Sequence, residues 1–188
     1  MGWSKGWGVW GGAWVLAAVI AACAAAHAQS PNYGVGQRPS ADEIRAADSL
    51  IGPEGKELPP GKGTARDGAT IYAQRCAACH GATGTEGPND RLVGGQGTLN
   101  TDRPVRTVGS YWPFATTVWD YIHRAMPVDS PGSLTPDQVY ALTALLLFRN
   151  GIIQETTVMD RESLPKVRMP NREGFVPDPR PDWKNPTR

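Results

Sequence analysis

Cysteine is scarce in this 188-residue chain, which has only Cys23, Cys76 and Cys79. If the last two are engaged by the motif described below, no pair remains for a structural disulfide, and a tetrahedral zinc site would need a second pair that is not there. Histidine is as rare: beyond His27 and His80 the one spare imidazole is His123. Charge of one sign is lacking too. The formal net charge is +1, and removing residues 1–28 takes away Lys5 and no acid, leaving basic and acidic residues equal in number. That excludes the basic footprint of a nucleic-acid binder. Proline (17) and glycine (22) are plentiful beside 40% hydrophobic residues, which predicts one small domain with irregular arms rather than one well-filled core.

The stretch that organises the rest is Cys76-Ala-Ala-Cys79-His80. Two thiols three residues apart sit within one helical turn and reach one porphyrin edge, and the imidazole that follows can take the iron, so the motif predicts one covalently attached haem c. Covalent haem attachment happens outside the bacterial cytoplasm, and residues 1–28 fit that compartment. Lys5 is their only charge, an apolar Trp/Gly and Ala/Val stretch follows, and Ala26-His27-Ala28 is a small-x-small cleavage site. A mature periplasmic protein is expected to begin near Gln29. Two alternatives stay open, a lipoprotein signal at Ile20-Ala-Ala-Cys23 and an uncleaved membrane anchor.

Residues 29–63 form an extension punctuated by proline and glycine. Its one helix signal is the capping box Ser40 to Glu43, with Ile44, Ala47 and Ile51 behind it. The haem helix opens at Thr64 with Asp67 three residues on, and carries Gly68 and Tyr72 eight and four residues before Cys76. A glycine inside a helix costs about 1 kcal/mol against alanine, so Gly68 predicts a close backbone approach. Gly81 to Gly97 read as loop. The Arg106, Tyr111 and Trp112 cluster offers hydrogen-bond donors to haem propionates, although such clusters are also ordinary core. Thr117 and Asp120 predict the cap of a third helix that runs through His123 to Met126 and is stopped by Pro127. Thr135-Pro136-Asp-Gln138 opens a last helix, with Val139, Leu142, Thr143 and Leu146 as its buried face and Asn150-Gly151 at its end. A cytochrome domain is thus drawn over 64–151. Residues 152–188 form a tail with Pro165, Pro170, Pro177, Pro179, Pro181 and Pro186, either disordered or laid in extended form over another surface, for which Met169, Phe175 and Trp183 are the anchors.

The Gly68, Tyr72 and Cys-x-x-Cys-His spacing resembles the class I cytochromes c. The resemblance implies an all-α fold of three to five short helices around one haem, with irregular N- and C-terminal extensions. It implies further that Gly68 and Tyr72 pack on the last helix, near an aromatic whose equivalent here is Leu145 or Phe148, and that a proline carbonyl, with Pro88 the candidate, accepts the hydrogen of His80. It also implies that Met126, placed at a helix end before Pro127, is the sixth iron ligand. Met159, Met169 and His123 remain the other candidates. Further stretches, Leu58-Pro-Pro-Gly-Lys-Gly-Thr64, Val108-Gly-Ser-Tyr-Trp-Pro-Phe114, Tyr121-Ile-His-Arg-Ala-Met-Pro127, Pro131-Gly-Ser-Leu-Thr135 and Met169-Pro-Asn-Arg-Glu-Gly-Phe175, are similar to the SoxD-type cytochrome subunit of sulfane dehydrogenase and to sulfite dehydrogenase cytochrome subunits. That likeness implies electron transport in sulfur oxidation: a molybdopterin-containing catalytic subunit as donor, a downstream c-type cytochrome as acceptor, and no catalytic residues in this chain. The alternatives are a free or membrane-tethered shuttle and a haem enzyme such as a peroxidase or thiosulfate-oxidising cytochrome. The lack of spare cysteine and histidine disfavours the enzyme.

Overall fold

The two strongest helix starts in the sequence are also the two that place the rest of the fold. In the computed structural model, which describes residues 35–48 and 50–177, α1 is Ala41–Ala47, β1 Lys62–Gly63, α2 Ala65–Arg75, α3 Ala77–His80, α4 Ala115–Ala125, α5 Pro136–Arg149 and β2 Met159–Asp160; a 3-10 turn covers Leu164–Lys166. The expected leader, Cys23 and Trp183 lie outside the described residues. Among the described residues no helix is long and apolar enough to cross a membrane.

Two compact units divide the chain at Ile44/Arg45, and α1, which runs across that boundary, is described by itself. Its capping box forms as expected, with Glu43 N–H donating to Ser40 Oγ (3.2 Å) and Ser40 N–H to Glu43 Oε2 (2.7 Å). Ile44 is exposed, and Ile51 lies beyond the helix in the core instead of on a shared stripe.

α2 starts at a second capping box, in which Asp67 N–H donates to Thr64 Oγ1 and Thr64 N–H to Asp67 Oδ2. α5 starts at a third, Thr135 with Gln138, and has Pro136 in its first turn, where a missing N–H leaves no partner wanting. The two helices cross at Gly68. A Cβ there would stand 2.2 Å from the carbonyl oxygen of Ala141, and one on Gly63 would stand 2.5 Å from the Ala141 amide nitrogen. The close approach that Gly68 signals is thus backbone on backbone. Leu145 is the residue that meets this crossing, its Cβ 3.0 Å from the same point, while Phe148 is exposed. Of the two candidates for the aromatic position, the leucine therefore fills it.

α5 buries more than the expected face: every residue from Val139 to Leu147 is buried. The reason is that β1, α2, α4 and β2 surround it. β1 and β2 pair antiparallel, Lys62 with Asp160 and Gly63 with Met159. Residues 50–63 fasten to the helices through Thr116 Oγ1 to Pro53 O (3.1 Å), Tyr140 Oη to Pro59 O (2.9 Å) and Lys62 N to Asp137 Oδ1 (2.7 Å). From the other end Met159, Leu164 and Met169 enter the same core as Ile51 and Leu58. The two flanks therefore supply apolar surface that the middle of so small a chain lacks.

α4 departs from expectation. It begins at Ala115, Phe114 takes the cap position without a side-chain bond, and Thr117 Oγ1 donates back to the Phe114 carbonyl. Asp120 is not a cap. It is buried, accepts from Ile51 N–H (3.0 Å) and forms a two-pronged pair with Arg124. The helix stops at Met126, whose peptide bond to Pro127 is cis.

Candidate haem-attachment site

Cys76 ends α2 with a dihedral pair (φ −125, ψ −36) that breaks the helix, and α3 resumes at once as a single turn. Within it His80 N–H donates to Cys76 O (3.0 Å) and Gly81 N–H to Ala77 O (2.9 Å). Cys76, Cys79 and His80 are thereby presented together, each half-buried, from one turn anchored to the core.

Gly81 then reverses the chain with φ +77, in the left-handed region that favours glycine. The loop folds back so tightly that Cβ atoms on Gly81 and Gly87 would run into Glu86 O and Cys79 O respectively. Asn89 N–H donates to Cys79 O (3.0 Å), and one residue on, His80 Nδ1 lies 2.8 Å from Asp90 O. A carbonyl only accepts, so Nδ1 carries the hydrogen and Nε2 keeps a free lone pair. The acceptor is therefore Asp90 and not Pro88. The turn closed by Gly81 and Gly87 brings the later carbonyl to the ring.

Burial pushes the Cys76 thiol up to about 11, against the opposing pull of the Arg75 and Arg149 guanidinium groups. Cys76 and Ala77 pack against the core, as do Leu92, Trp112 and Met126, each only partly buried. A pair of reduced thiols, an imidazole with its Nε2 bare and apolar side chains of this kind fit a covalent haem.

The other candidates fall in distinct places. Met126 is half-buried at the end of α4 with an extended backbone. Met159 and Met169 are fully buried in the core. The His123 ring stacks on Trp119 at 4.9 Å. The Arg106 guanidinium lies 5.8 Å from the Tyr111 ring centroid and lines a surface depression with Asp90, Arg91 and Pro104. Trp112 meets Tyr121 edge-on, and Tyr111 meets Phe175 edge-on. Asn171 donates to Tyr111 O (2.7 Å) and Arg172 stacks over Phe114, so residues 169–175 lie along the aromatic stretch.

Two residues of the site had no reading of their own in the sequence. Asn150, by sequence a helix end, is buried. It accepts from Gly94 N–H (3.0 Å), and its amide donates to Leu92 O (3.1 Å) and Leu146 O (2.8 Å), tying the loop to α5. Arg149 lays its guanidinium over the Tyr72 ring, 4.4 Å from the centroid. Neither carries a local signal, because each is defined by a partner far away in the chain.

Residues 63–146 match the family described as cytochrome c oxidase, cbb3-type, subunit III. No curated protein matches the chain. Among solved structures, the chain is similar to one in the crystal structure of the sulfane dehydrogenase SoxCD from Paracoccus pantotrophus, with 41% sequence identity, a TM-score of 0.71, and coverage of 80% of this chain and 75% of that one. With the single-turn attachment motif and the glycine crossing behind it, this likeness makes the chain a class I cytochrome c that belongs to the SoxD-like cytochromes.

Proposed function

We propose that this chain is a periplasmic monohaem c-type cytochrome that accepts electrons from a molybdopterin-containing subunit oxidising a sulfur compound and passes them to another c-type cytochrome. The observation that carries the electron-transfer part is the His80 Nδ1 to Asp90 O bond, which commits the ring to present Nε2. Haem c, when bound, supplies a one-electron carrier. Cys76 and Cys79 would hold it covalently, with His80 Nε2 and the Met126 thioether as the groups that would ligate its iron. A thioether favours the ferrous state and raises the potential. Met126 is favoured over its rivals because Met159 and Met169 are enclosed in the core and His123 is engaged on Trp119. The sulfur-oxidising part is supported by the 41% identity to a chain of a sulfane dehydrogenase.

Purification of the native protein with whatever stays bound tests the partner: molybdenum in the complex, and haem reduction by sulfite or a sulfane-sulfur donor, are expected. A chain that purifies alone and is reduced by neither removes the sulfur assignment. For the ligand, Met126→Ala should abolish the weak far-red methionine-to-ferric-iron band and lower the potential, with His123→Ala retaining the band. Survival of the band in Met126→Ala would move the ligand elsewhere.

A further inference from the structure

Arg149 closes α5 and is only half-buried, yet its Nη1 is shielded from solvent and has no hydrogen-bond partner. No carboxylate among the described residues pairs with it. A shielded cation without a counter-charge is unfavourable unless something else offsets the lost water. Here the offset is the face of Tyr72, 4.4 Å from the guanidinium carbon. The ring itself is fixed, fully buried and with its hydroxyl donating to Gly81 O at 3.0 Å. Tyr72 stands one turn before Cys76, whose N–H donates to the Tyr72 carbonyl (2.9 Å). The charge is therefore held by rigid contacts beside the attachment turn, close enough to act on the Cys76 sulfur. Leu145 occupies the position where an aromatic is expected, and Arg149, one turn later, is the side chain that covers Tyr72.

We propose that Arg149 sets the haem potential: its unneutralised charge, fixed on Tyr72 beside Cys76, disfavours the ferric over the ferrous state and raises the midpoint. Oxidation adds one positive charge to the haem, and a fixed cation in a poorly solvated position opposes that addition more strongly than an exposed one does. Arg75, next to Cys76 but exposed and bonded to Ser130 and Ser133, is screened by water and contributes less. The inference rests on haem attachment at Cys76 and Cys79.

The test is the midpoint potential of the haem-loaded protein, wild type against Arg149→Met and Arg149→Lys, at low and high salt. Arg149→Met should shift the ferrous-to-ferric ratio at a fixed applied potential by about three- to tenfold toward ferric, a fall of up to about 59 mV for a one-electron couple, with the far-red band unchanged. Arg149→Lys keeps the charge and should retain most of the potential, and added salt should change the difference little. Should Arg149→Met fail to accumulate, Arg149→Gln is measured in its place, with the same fall expected. An unchanged potential in the uncharged variant overturns the proposal and leaves haem attachment standing. An equal fall in Arg149→Lys overturns it in favour of packing. A wild-type chain that takes up no covalent haem, when expressed with an attachment machinery, overturns the attachment reading and this proposal with it.

Discussion

Where β1 and α2 meet α5, the contact is made by side chains that are missing: Gly63 of β1 and Gly68 of α2 leave room for the backbone of Ala141. The loop on the other side of the attachment turn, residues 81–114, is held by side chains that are present and polar. Asn150 bonds to Leu92 and Gly94, Thr107 and Ser110 bond to each other and to nearby backbone, and Glu86 gathers Thr83 and Thr85. The difference follows from the work each region does. A crossing fixes two long elements at one point and needs only close packing, which falls off steeply with separation. A loop has unpaired backbone groups along its whole length, and these must be satisfied one by one. The first arrangement is stiff and intolerant of added atoms, whereas the second loses stability in steps as its bonds are removed.

The largest break is expected at the crossing. In Gly68→Ala the new methyl would stand 2.2 Å from Ala141 O and 2.7 Å from its carbonyl carbon. Both are backbone atoms, so trimming a side chain cannot relieve the clash, and α2 must move away from α5. Overpacking of this kind costs about 3 kcal/mol or more. Thermal or denaturant unfolding of the haem-loaded protein measures it, and Gly68→Ala with wild-type stability would show the helices to be further apart. Ala141→Gly added to Gly68→Ala should not rescue, which separates backbone from side-chain contact.

The same contrast explains what could be read from the chain. Capping boxes at Thr64 with Asp67 and at Thr135 with Gln138 are local patterns, and a glycine eight residues before Cys76 has few other uses, so α2, α5 and their crossing were legible. The loop was not. Pro88 and Asp90 both offer carbonyls to His80, and the choice depends on how closely Gly81 and Gly87 stack, which no pattern records. Asp120 is a good capping residue by type, but Ile51, 69 residues away, decides that it points inward. The tail gave apolar anchors without a surface to seat them. Met169 proves to be core, and Phe175 rests edge-on against Tyr111.

A smaller and more local loss is expected at Asn150. Asn150→Ala strands the Gly94 N–H and removes the donor to Leu92 O and Leu146 O, all in or near a buried place beside Gly109. Leaving buried groups unsatisfied costs about 1–3 kcal/mol each, offset where water can reach the loop, so a loss of about 2–4 kcal/mol is expected. Unlike the crossing variant, this one should show raised hydrogen exchange at Gly94 with the α2 amides still protected. Equal loss of protection in both regions would mean that loop and crossing unfold as one unit.

The smallest effect sharpens the comparison through pH. The Glu86 carboxylate accepts from the Thr83 and Thr85 hydroxyls and amides, and those bonds, that of the Thr83 side chain foremost, bring it down from 4.5 to about 2. The sign follows from linkage. A carboxylate whose folded value lies below its unfolded one adds stability that is fully present above pH 4.5 and is lost as pH falls through about 2. Asp67, at the cap of α2, and Asp160, beside Ser163, are lowered in the same direction by their own hydrogen bonds, so the whole protein weakens in acid. Glu86→Gln removes the Glu86 share alone. Between pH 4.5 and 2 its melting temperature should fall less steeply than that of the wild type, with the two curves converging at the acid end. Because Glu86 is fully exposed, the difference should shrink further in high salt. The readout that ties it to the loop is the His80 ring, held by Asp90 four residues beyond Glu86. Acid should alter the Nδ1–H signal of haem-loaded wild type before global unfolding, and in Glu86→Gln the same alteration should already be present near neutral pH. Parallel melting curves over that range, with an identical Nδ1–H signal, would show that the Thr83, Thr85 and Glu86 cluster holds nothing that the glycine turn does not hold by itself.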